Sequence, residues 1–93
     1  MYAMLVTVDI DAKRVDESDQ SLHEFTIPTS KEQPGFVRGM WLRSADNSQG
    51  RGIVLFDTED NANACAVKAQ QGPPADAPIK IRSVDIFEVV AEA

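Results

Sequence analysis

The sequence has 93 residues, 43% of them hydrophobic, and a formal net charge of -6 from 15 acidic and 9 basic side chains. This acidic surplus, without a cluster of lysines and arginines, excludes the usual nucleic-acid-binding proteins, because phosphates attract a basic face. The single cysteine, Cys65, excludes an internal disulfide and cannot form a zinc site alone. No apolar run is long enough to cross a membrane, and the first strand starts at Tyr2, so we expect no signal peptide and a cytoplasmic protein.

The length of the chain limits its core. We expect one domain over residues 1–93, which would bury only roughly 60 to 65% of the surface that the unfolded chain exposes. A partner subunit would add buried surface, so the size favours a dimer.

The first half of the chain predicts a strand and then a helix. The strand runs from Tyr2 to Ile10 and is apolar on both alternating faces, which predicts cover on both sides. The helix runs from about Asp16 to Glu32, and Pro28 inside it predicts a kink or two shorter segments. Its expected inward stripe consists of Val15, Ser18, Leu22, Phe25, Thr26 and Thr29.

A β-hairpin follows the Pro34-Gly35 turn. Its first strand is predicted over Phe36–Ser44, its turn over Ala45–Gln49 and its return strand over Arg51–Phe56, because the turn residues tolerate the dihedrals that a hairpin needs. Alternation places two sets of side chains on opposite faces of the first strand. These sets are Phe36, Arg38, Met40 and Leu42 on one face, and Val37, Gly39, Trp41 and Arg43 on the other.

The last third predicts a second helix, a loop and a final strand. Asp57-Thr58 caps the helix, whose apolar stripe is made of the small residues Ala62, Cys65, Ala66 and Ala69. Gln71–Pro78 is rich in proline and predicts a loop. The final strand covers Ile79–Val90, and its apolar phase slips near Arg82 or Ser83, which indicates a β-bulge.

The order strand, helix, strand, strand, helix, strand predicts an α+β fold. It is the ferredoxin-like βαββαβ arrangement, in which a four-stranded antiparallel sheet carries two helices on one face. The strands are apolar on their other face as well, and a monomer would expose a larger apolar patch than soluble monomers usually carry. We therefore expect a homodimer formed through the open sheet face, in which the two sheets build a dimeric α/β barrel.

Several stretches resemble a known group of proteins. The element order, Pro34-Gly35-Phe36 at the second strand, the strand that carries Trp41, and the alanine-rich helix after Phe56-Asp57-Thr58 resemble the dimeric α/β-barrel superfamily. Within it, the chain is most similar to the antibiotic-biosynthesis-monooxygenase (ABM) family, over nearly its whole length. The resemblance implies a pocket between sheet and helices in each subunit of a dimer. Family members include cofactor-independent oxygenases of aromatic polyketides, haem-degrading enzymes, quinol oxygenases and proteins with no known activity.

The resemblance also bears on cofactors. Haem-degrading members use an axial histidine on the second helix together with an asparagine and a tryptophan, but Thr58–Gln70 contains no histidine. Asn61 and Asn63 lie in or near the first turn of that helix, where solvent contact is the simpler interpretation. We expect no cofactor and no metal site.

Four residues are candidates for a functional site. His23 is the candidate catalytic base, because histidine most readily exchanges a proton near neutral pH, although it lies away from the inward stripe and a surface position is the simpler interpretation. Trp41, Arg38 and Tyr2 are the candidate substrate-binding residues. Trp41 could stack on a planar ligand or fill the core or the dimer interface, and Tyr2 could donate a hydrogen bond or simply pair at an edge.

The arginines of the second strand also have two interpretations. Arg38 and Arg43 could bind a substrate carboxylate or enolate, or they could form ion pairs within the protein. The candidate carboxylates for such pairs are Asp9, Asp57 and Asp85.

Two functions remain open from the sequence. The first is an ABM-like homodimer that binds a small aromatic or quinol-like molecule and oxidises it as a cofactor-independent monooxygenase. The alternative is a non-catalytic dimerisation or ligand-sensing module.

Overall fold

The computed structural model describes residues 1–93. In chain order, the elements are β1 (Tyr2–Ile10), α1 (Val15–Ser21), α2 (Ile27–Lys31), β2 (Phe36–Arg43), β3 (Gln49–Phe56), α3 (Glu59–Gln70) and β4 (Ile79–Glu88). The strands form one antiparallel sheet in the order β2-β3-β1-β4. The predicted α+β, ferredoxin-like arrangement is therefore confirmed. No helix combines the length and the apolar composition that a membrane crossing requires.

The core lies between α3 and one face of the sheet. Met4, Val54 and Phe56 point from the strands towards the helix, and Phe56 is completely buried. Ala62, Cys65 and Ala66 of α3 complete this cluster, and Ala69 packs against it, as the small-residue stripe predicts. Because these side chains are small, α3 lies close to the strands.

The α1 and α2 segments form one continuous helical stretch over residues 15–31, here called the N-terminal helix. They are joined by a π-helical turn at Leu22–Thr26, in which the N–H of Ile27 donates to the carbonyl of Leu22, five residues back. Pro28 explains this turn, because its ring clashes with the carbonyl four residues earlier and it has no N–H to donate. The predicted interruption is thus present, in the form of a widened turn ahead of the proline.

The widened turn also changes which side chains face the sheet. Phe25, predicted to face inward, is 67% exposed. The predicted stripe assumes a regular rotation of 100° per residue. A π turn contains an extra residue, so side chains after it no longer follow that rotation. The remaining members of the predicted stripe are half-buried, and they are Val15, Ser18, Leu22, Thr26 and Thr29.

Two irregularities set the faces of the edge strands. In β4, Thr7 pairs with Ser83 and Val8 pairs with Ile81, so Arg82 is the extra residue of a bulge, as predicted. In β2, Phe36 pairs with Phe56 and Arg38 pairs with Leu55, which makes a second bulge that the sequence did not reveal. This bulge puts Phe36 against the core, on the side of Trp41 and not on that of Arg38.

The face of the sheet without helices, here called the open face, carries apolar side chains from its centre to both edges. Met40 and Leu42 of β2 and Phe87 of β4 are about half exposed, at 55%, 47% and 54%. Half-buried Leu5 and Ile53 lie between them in the pairing register. A face of this composition favours contact with another surface.

The C-terminal residues cover one end of the open face. Arg38 on β2 forms an ion pair with Glu92, although β2 and β4 are opposite edges of the sheet. The residues after β4 must therefore cross the sheet at its Tyr2 end. This crossing accounts for the burial of Leu55, which lies beside Arg38 in the register.

The hairpin turn is organised by the carboxylate of Asp46. It accepts hydrogen bonds from the hydroxyl of Ser48 at 2.7 Å, the backbone N–H of Ser48 at 3.0 Å and the hydroxyl of Ser44 at 2.8 Å. Asn47 adopts a positive φ of 64°, which asparagine tolerates better than most residues. The turn predicted around these residues is confirmed, with β2 ending at Arg43 and β3 beginning at Gln49.

These hydrogen bonds make the turn sensitive to acid. They hold the pKa of Asp46 at about 2, below its ordinary value of 3.8, with the Ser48 hydroxyl as the largest cause. The folded state therefore favours the ionised carboxylate, and its contribution to stability is present above pH 3.8 and is lost as the pH falls through about 2. We expect a carbon-detected NMR titration of the Asp46 carboxyl to show this lowered midpoint. Ser48→Ala is the control, and an unchanged Asp46 midpoint in that variant would contradict the assignment.

Candidate functional site

Trp41 lies across two glycines on the helix-facing side of the sheet. A Cβ atom added to Gly39 would lie 2.5 Å from Cη2 of the indole, and one added to Gly52 would lie 3.0 Å from its Nε1. Gly52 is the cross-strand partner of Trp41, and Gly39 precedes it by two residues on the same face. Each end of the indole thus lies against the backbone of a glycine, and one face of the ring is covered by the sheet. We call Trp41, Gly39 and Gly52 the tryptophan platform.

The N-terminal helix lies over the β2 edge and packs loosely. None of the residues of α1, of the π-helical turn or of α2 is fully buried. Arg43, two residues beyond Trp41 on the same face, forms an ion pair with Asp19 of α1. This pair joins the helix to the sheet beside the tryptophan platform. Helices with few buried contacts are the parts of a protein that open most easily.

His23 lies in the π-helical turn, four residues after Asp19. Its side chain is exposed to solvent. π turns occur often at functional sites, because the wider turn redirects side chains. The role of His23 as a base stays a prediction.

The other two candidates lie away from the tryptophan platform. Tyr2 is at the opposite end of the sheet, where its hydroxyl donates a hydrogen bond of 3.2 Å to Glu88, and this bond together with the charge of Glu88 raises the pKa of Tyr2. Arg38 points to the open face and pairs with Glu92. The structure therefore does not bring Tyr2, Arg38 and Trp41 together around one small ligand, and their roles in binding stay separate predictions.

The carboxylate partners of the arginines differ from those expected. Arg38 pairs with Glu92 and Arg43 with Asp19, whereas Asp9 pairs with Arg82 of the bulge. Both actual partners lie on segments whose position over the sheet depends on tertiary packing. Alternation along a strand does not reveal such partners.

The beginning of α3 is occupied by structural contacts. Asn61 donates a hydrogen bond of 2.9 Å to Asp57, and both side chains pack against Gly35, which has a φ of 77°. A Cβ atom on Gly35 would lie 2.2 Å from the Asp57 carboxylate, so only glycine fits there. Asn61 therefore fixes the Pro34-Gly35 turn to the helix, and Asn63 is exposed.

Groups that would hold a metal or act as a nucleophile are scarce. No set of three His, Cys, Asp or Glu side chains is placed to hold a metal ion, and α3 has no histidine for a haem iron. Cys65 is buried in the core, and burial raises the pKa of its thiol, which disfavours the reactive thiolate.

Two surface recesses lie outside the tryptophan platform. One of about 210 Å³ is lined at the hairpin end by Leu42, Arg43, Ser44, Gln49 and Arg51. Another of about 350 Å³ lies between the end of α3 and the start of β4. Trp41, which is half-buried, lines neither of these two recesses.

Sequence comparisons and structure comparisons give different results. No protein-family model matches the chain, and no curated protein matches it. The haem degrader MhuD from Mycobacterium tuberculosis, solved with two haems in its active site, is 18% identical, with a TM-score of 0.75 over 100% of this chain and 99% of that chain. SnoaB, a cofactor-independent oxygenase from Streptomyces nogalater, is 18% identical, with a TM-score of 0.67 over 98% and 94% of the two chains.

A third solved structure is described as dimeric. It is a dimeric ferredoxin-like protein from an uncultured marine organism, 13% identical, with a TM-score of 0.68 over 100% of this chain and 98% of that chain. Likeness at these identities concerns the fold. The chain shares the ferredoxin-like fold of these solved structures.

Proposed function

We propose that this protein is a homodimer that binds a small planar aromatic or quinol-like molecule over Trp41, between the N-terminal helix and the sheet. The observation that carries the proposal is the tryptophan platform, in which two glycines hold an indole flat on the strands. An aromatic face in this position stacks on planar ligands and resists displacement, because backbone supports its other side.

Two further observations support this site. The N-terminal helix buries no residue fully, so it can move away from the platform at little cost. Arg43 lies next to Trp41 and is paired with Asp19, and an anionic group on the ligand would replace that carboxylate. Both features suit a planar molecule with an acidic hydroxyl or carboxylate.

The enzyme form of the proposal is a cofactor-independent monooxygenase. His23 would remove a proton from the activated CH₂ carbon of a bound anthrone-like ligand, the keto tautomer of a phenol, and the resulting anion would reduce O₂. In the overall reaction, a CH₂ group becomes C=O, one oxygen atom enters the product, and the other leaves as water with the two hydrogens. The substrate supplies the electrons, so the protein has to orient the ligand and exclude water.

Intrinsic fluorescence tests ligand binding directly, because Trp41 is the only tryptophan. We expect a quinol, anthrone or flavonoid to quench this fluorescence and to raise the melting temperature, whereas fatty acids should do neither. Trp41→Ala should weaken binding, measured by calorimetry, at least about 10-fold, because stacking and burial of the ring are both lost. Trp41→Phe keeps a ring and should lose less. Equal affinity of the alanine variant and the wild type would overturn the site.

The other candidate residues have their own tests. Tyr2→Phe and Arg38→Ala examine the two remaining predicted ligand contacts by the same calorimetric titration. For His23, turnover of an identified substrate by His23→Ala at the wild-type rate would remove it as the base.

The homodimer is proposed to form through the open face. Its support is the apolar surface of Met40, Leu42 and Phe87, together with the dimeric ferredoxin-like protein that shares the fold. A location in the cytoplasm stays a prediction from the sequence.

The second candidate function is a non-catalytic dimerisation or ligand-sensing module. The close packing of α3 on the sheet and the position of the two described recesses away from Trp41 favour it. It would bind a partner or ligand without turnover. Ligand binding without oxygen uptake would therefore select the module over the oxygenase.

A further inference from the structure

Three charged side chains of the open face, Arg51, Asp85 and Lys80, belong to no ion pair, and the first two lie nearer the middle of the register. The four ion pairs of the chain use Arg14, Arg38, Arg43 and Arg82 with carboxylates of the same chain. Arg51 on β3 and Asp85 on β4 belong to none of them, and both are exposed. The residues directly opposite them in the register, Leu42 and Thr7 for Arg51 and Leu5 for Asp85, are uncharged.

The register places these charges midway along the strands, with Arg51 on the inner strand β3 and Asp85 on the edge strand β4. Arg51 lies between Leu42 and Thr7, and Asp85 lies beside Leu5. The C-terminal residues cross the sheet at the Tyr2 end and do not reach this region. A second sheet packed on the open face would therefore remove Arg51 and Asp85 from water together with the apolar side chains. An ionised group buried in this way is costly unless it meets an opposite charge.

We propose that Arg51 of one subunit pairs with Asp85 of the partner subunit, and that this contact fixes how the two sheets are placed. The inference rests on the homodimer proposed above. Arg51 lies on the strand to one side of β1, opposite Thr7, and Asp85 lies on the strand to the other side, opposite Leu5. A two-fold axis that lies in the interface plane, oblique to the strands, and crosses β1 between Leu5 and Thr7 therefore exchanges the two positions. Two-fold symmetry makes the contact occur twice in each dimer.

The two charged residues would define the relative position of the sheets, which apolar contacts alone do not. Met40, Leu42 and Phe87 favour association but accept many relative positions of the sheets, because apolar contact has little directionality. Two symmetric ion pairs at defined points select one position and disfavour others in which like charges meet. Lys80, the other unpaired cation of this face, lies beside Asp9 in the row next to the Ile10–Ile79 end of the sheet, so a partner sheet centred on Leu5 and Thr7 would leave it near the rim of the interface.

Charge reversal tests the pairing. Arg51→Asp alone and Asp85→Arg alone should each weaken the dimer by about 100-fold or more at low salt, because either change places like charges together twice. When the two variants are mixed, every contact again joins opposite charges, so a heterodimer should form. Sedimentation velocity measures the association, and native mass spectrometry distinguishes the heterodimer from either homodimer by mass.

Matched reversals serve as controls. Lys80→Asp changes a cation at the corner of the same face, and Asp60→Arg changes an exposed carboxylate on α3, so neither should alter the dimer. Circular dichroism of every variant checks that it is folded. A dimeric wild type whose reversed variants stay dimeric, or whose mixture forms no heterodimer, overturns the pairing alone. A monomeric wild type overturns the homodimer and the pairing with it.

Discussion

Replacing Phe56 with alanine is expected to lower the free energy of unfolding by roughly 3–5 kcal/mol, the usual cost of removing a buried phenylalanine. The ring is 0% exposed and packs with Met4, Val54 and the small residues of α3. The small side chains of α3 cannot fill the cavity left by the ring, so the decrease in the free energy of unfolding should lie towards the upper end of that range. Urea denaturation measures this decrease, at a fixed protein concentration because the proposed subunit association would also contribute to stability.

Phe25→Ala is the matched control for Phe56→Ala. The same ring is removed, but Phe25 is 67% exposed after the π-helical turn. Its loss should change the free energy of unfolding by no more than about 0.5 kcal/mol. A large loss at Phe25, or a small one at Phe56, would contradict the helix phase and the core described above.

Introducing a carboxylate among the apolar side chains of the open face is expected to dissociate the proposed homodimer. Met40 is 55% exposed and pairs with Ile53, so Met40→Asp would place one unpaired charge from each subunit in the proposed interface. The dimer dissociation constant should rise by at least about 100-fold, which corresponds to roughly 2.8 kcal/mol. Sedimentation velocity over a concentration series measures this change.

Val67→Asp is the control for Met40→Asp. Val67 lies on α3 and is 61% exposed, so it presents a similar apolar side chain on the opposite side of the molecule. This variant should keep the dimer and its melting temperature. If both aspartate variants dissociate, the added charge itself, and not its position on the open face, is the cause. If neither dissociates, the subunits do not associate through the open face.

Much of the architecture could be predicted because local chemistry determines it. The turn around Asp46, the capped helix after Thr58 and the bulge at Arg82 each follow from a few neighbouring residues. In the same way, the order of strands and helices restricts the sheet to a few arrangements. These features needed no knowledge of distant contacts.

The predicted side-chain directions were wrong where an extra residue interrupts a regular helix or strand. Pro28 correctly indicated an interruption, but the response of the chain was a π turn, and this turn exposed Phe25. The bulge in β2 moved Phe36 to the other face without any proline or glycine at Val37 to indicate it. A regular period cannot predict side-chain direction beyond such an insertion.

The candidate site was only partly visible in the sequence. Alternation already put Gly39, Trp41 and Arg43 on one face, but the contribution of Gly52 depends on the hairpin register. The pairing of Arg43 with Asp19 depends on the position of the N-terminal helix over the sheet. Such contacts join residues far apart in the chain, so they become apparent only in the folded molecule.

The tryptophan platform also limits how related sequences can diverge. A side chain at position 39 or 52 would collide with the indole, and loss of the indole would leave two glycines that weaken the strands without any packing benefit. Substitutions at Gly39, Trp41 and Gly52 should therefore be inherited together. Homologues that lack the tryptophan are expected to carry larger residues at both glycine positions, and an alignment would reveal the three as a covarying set.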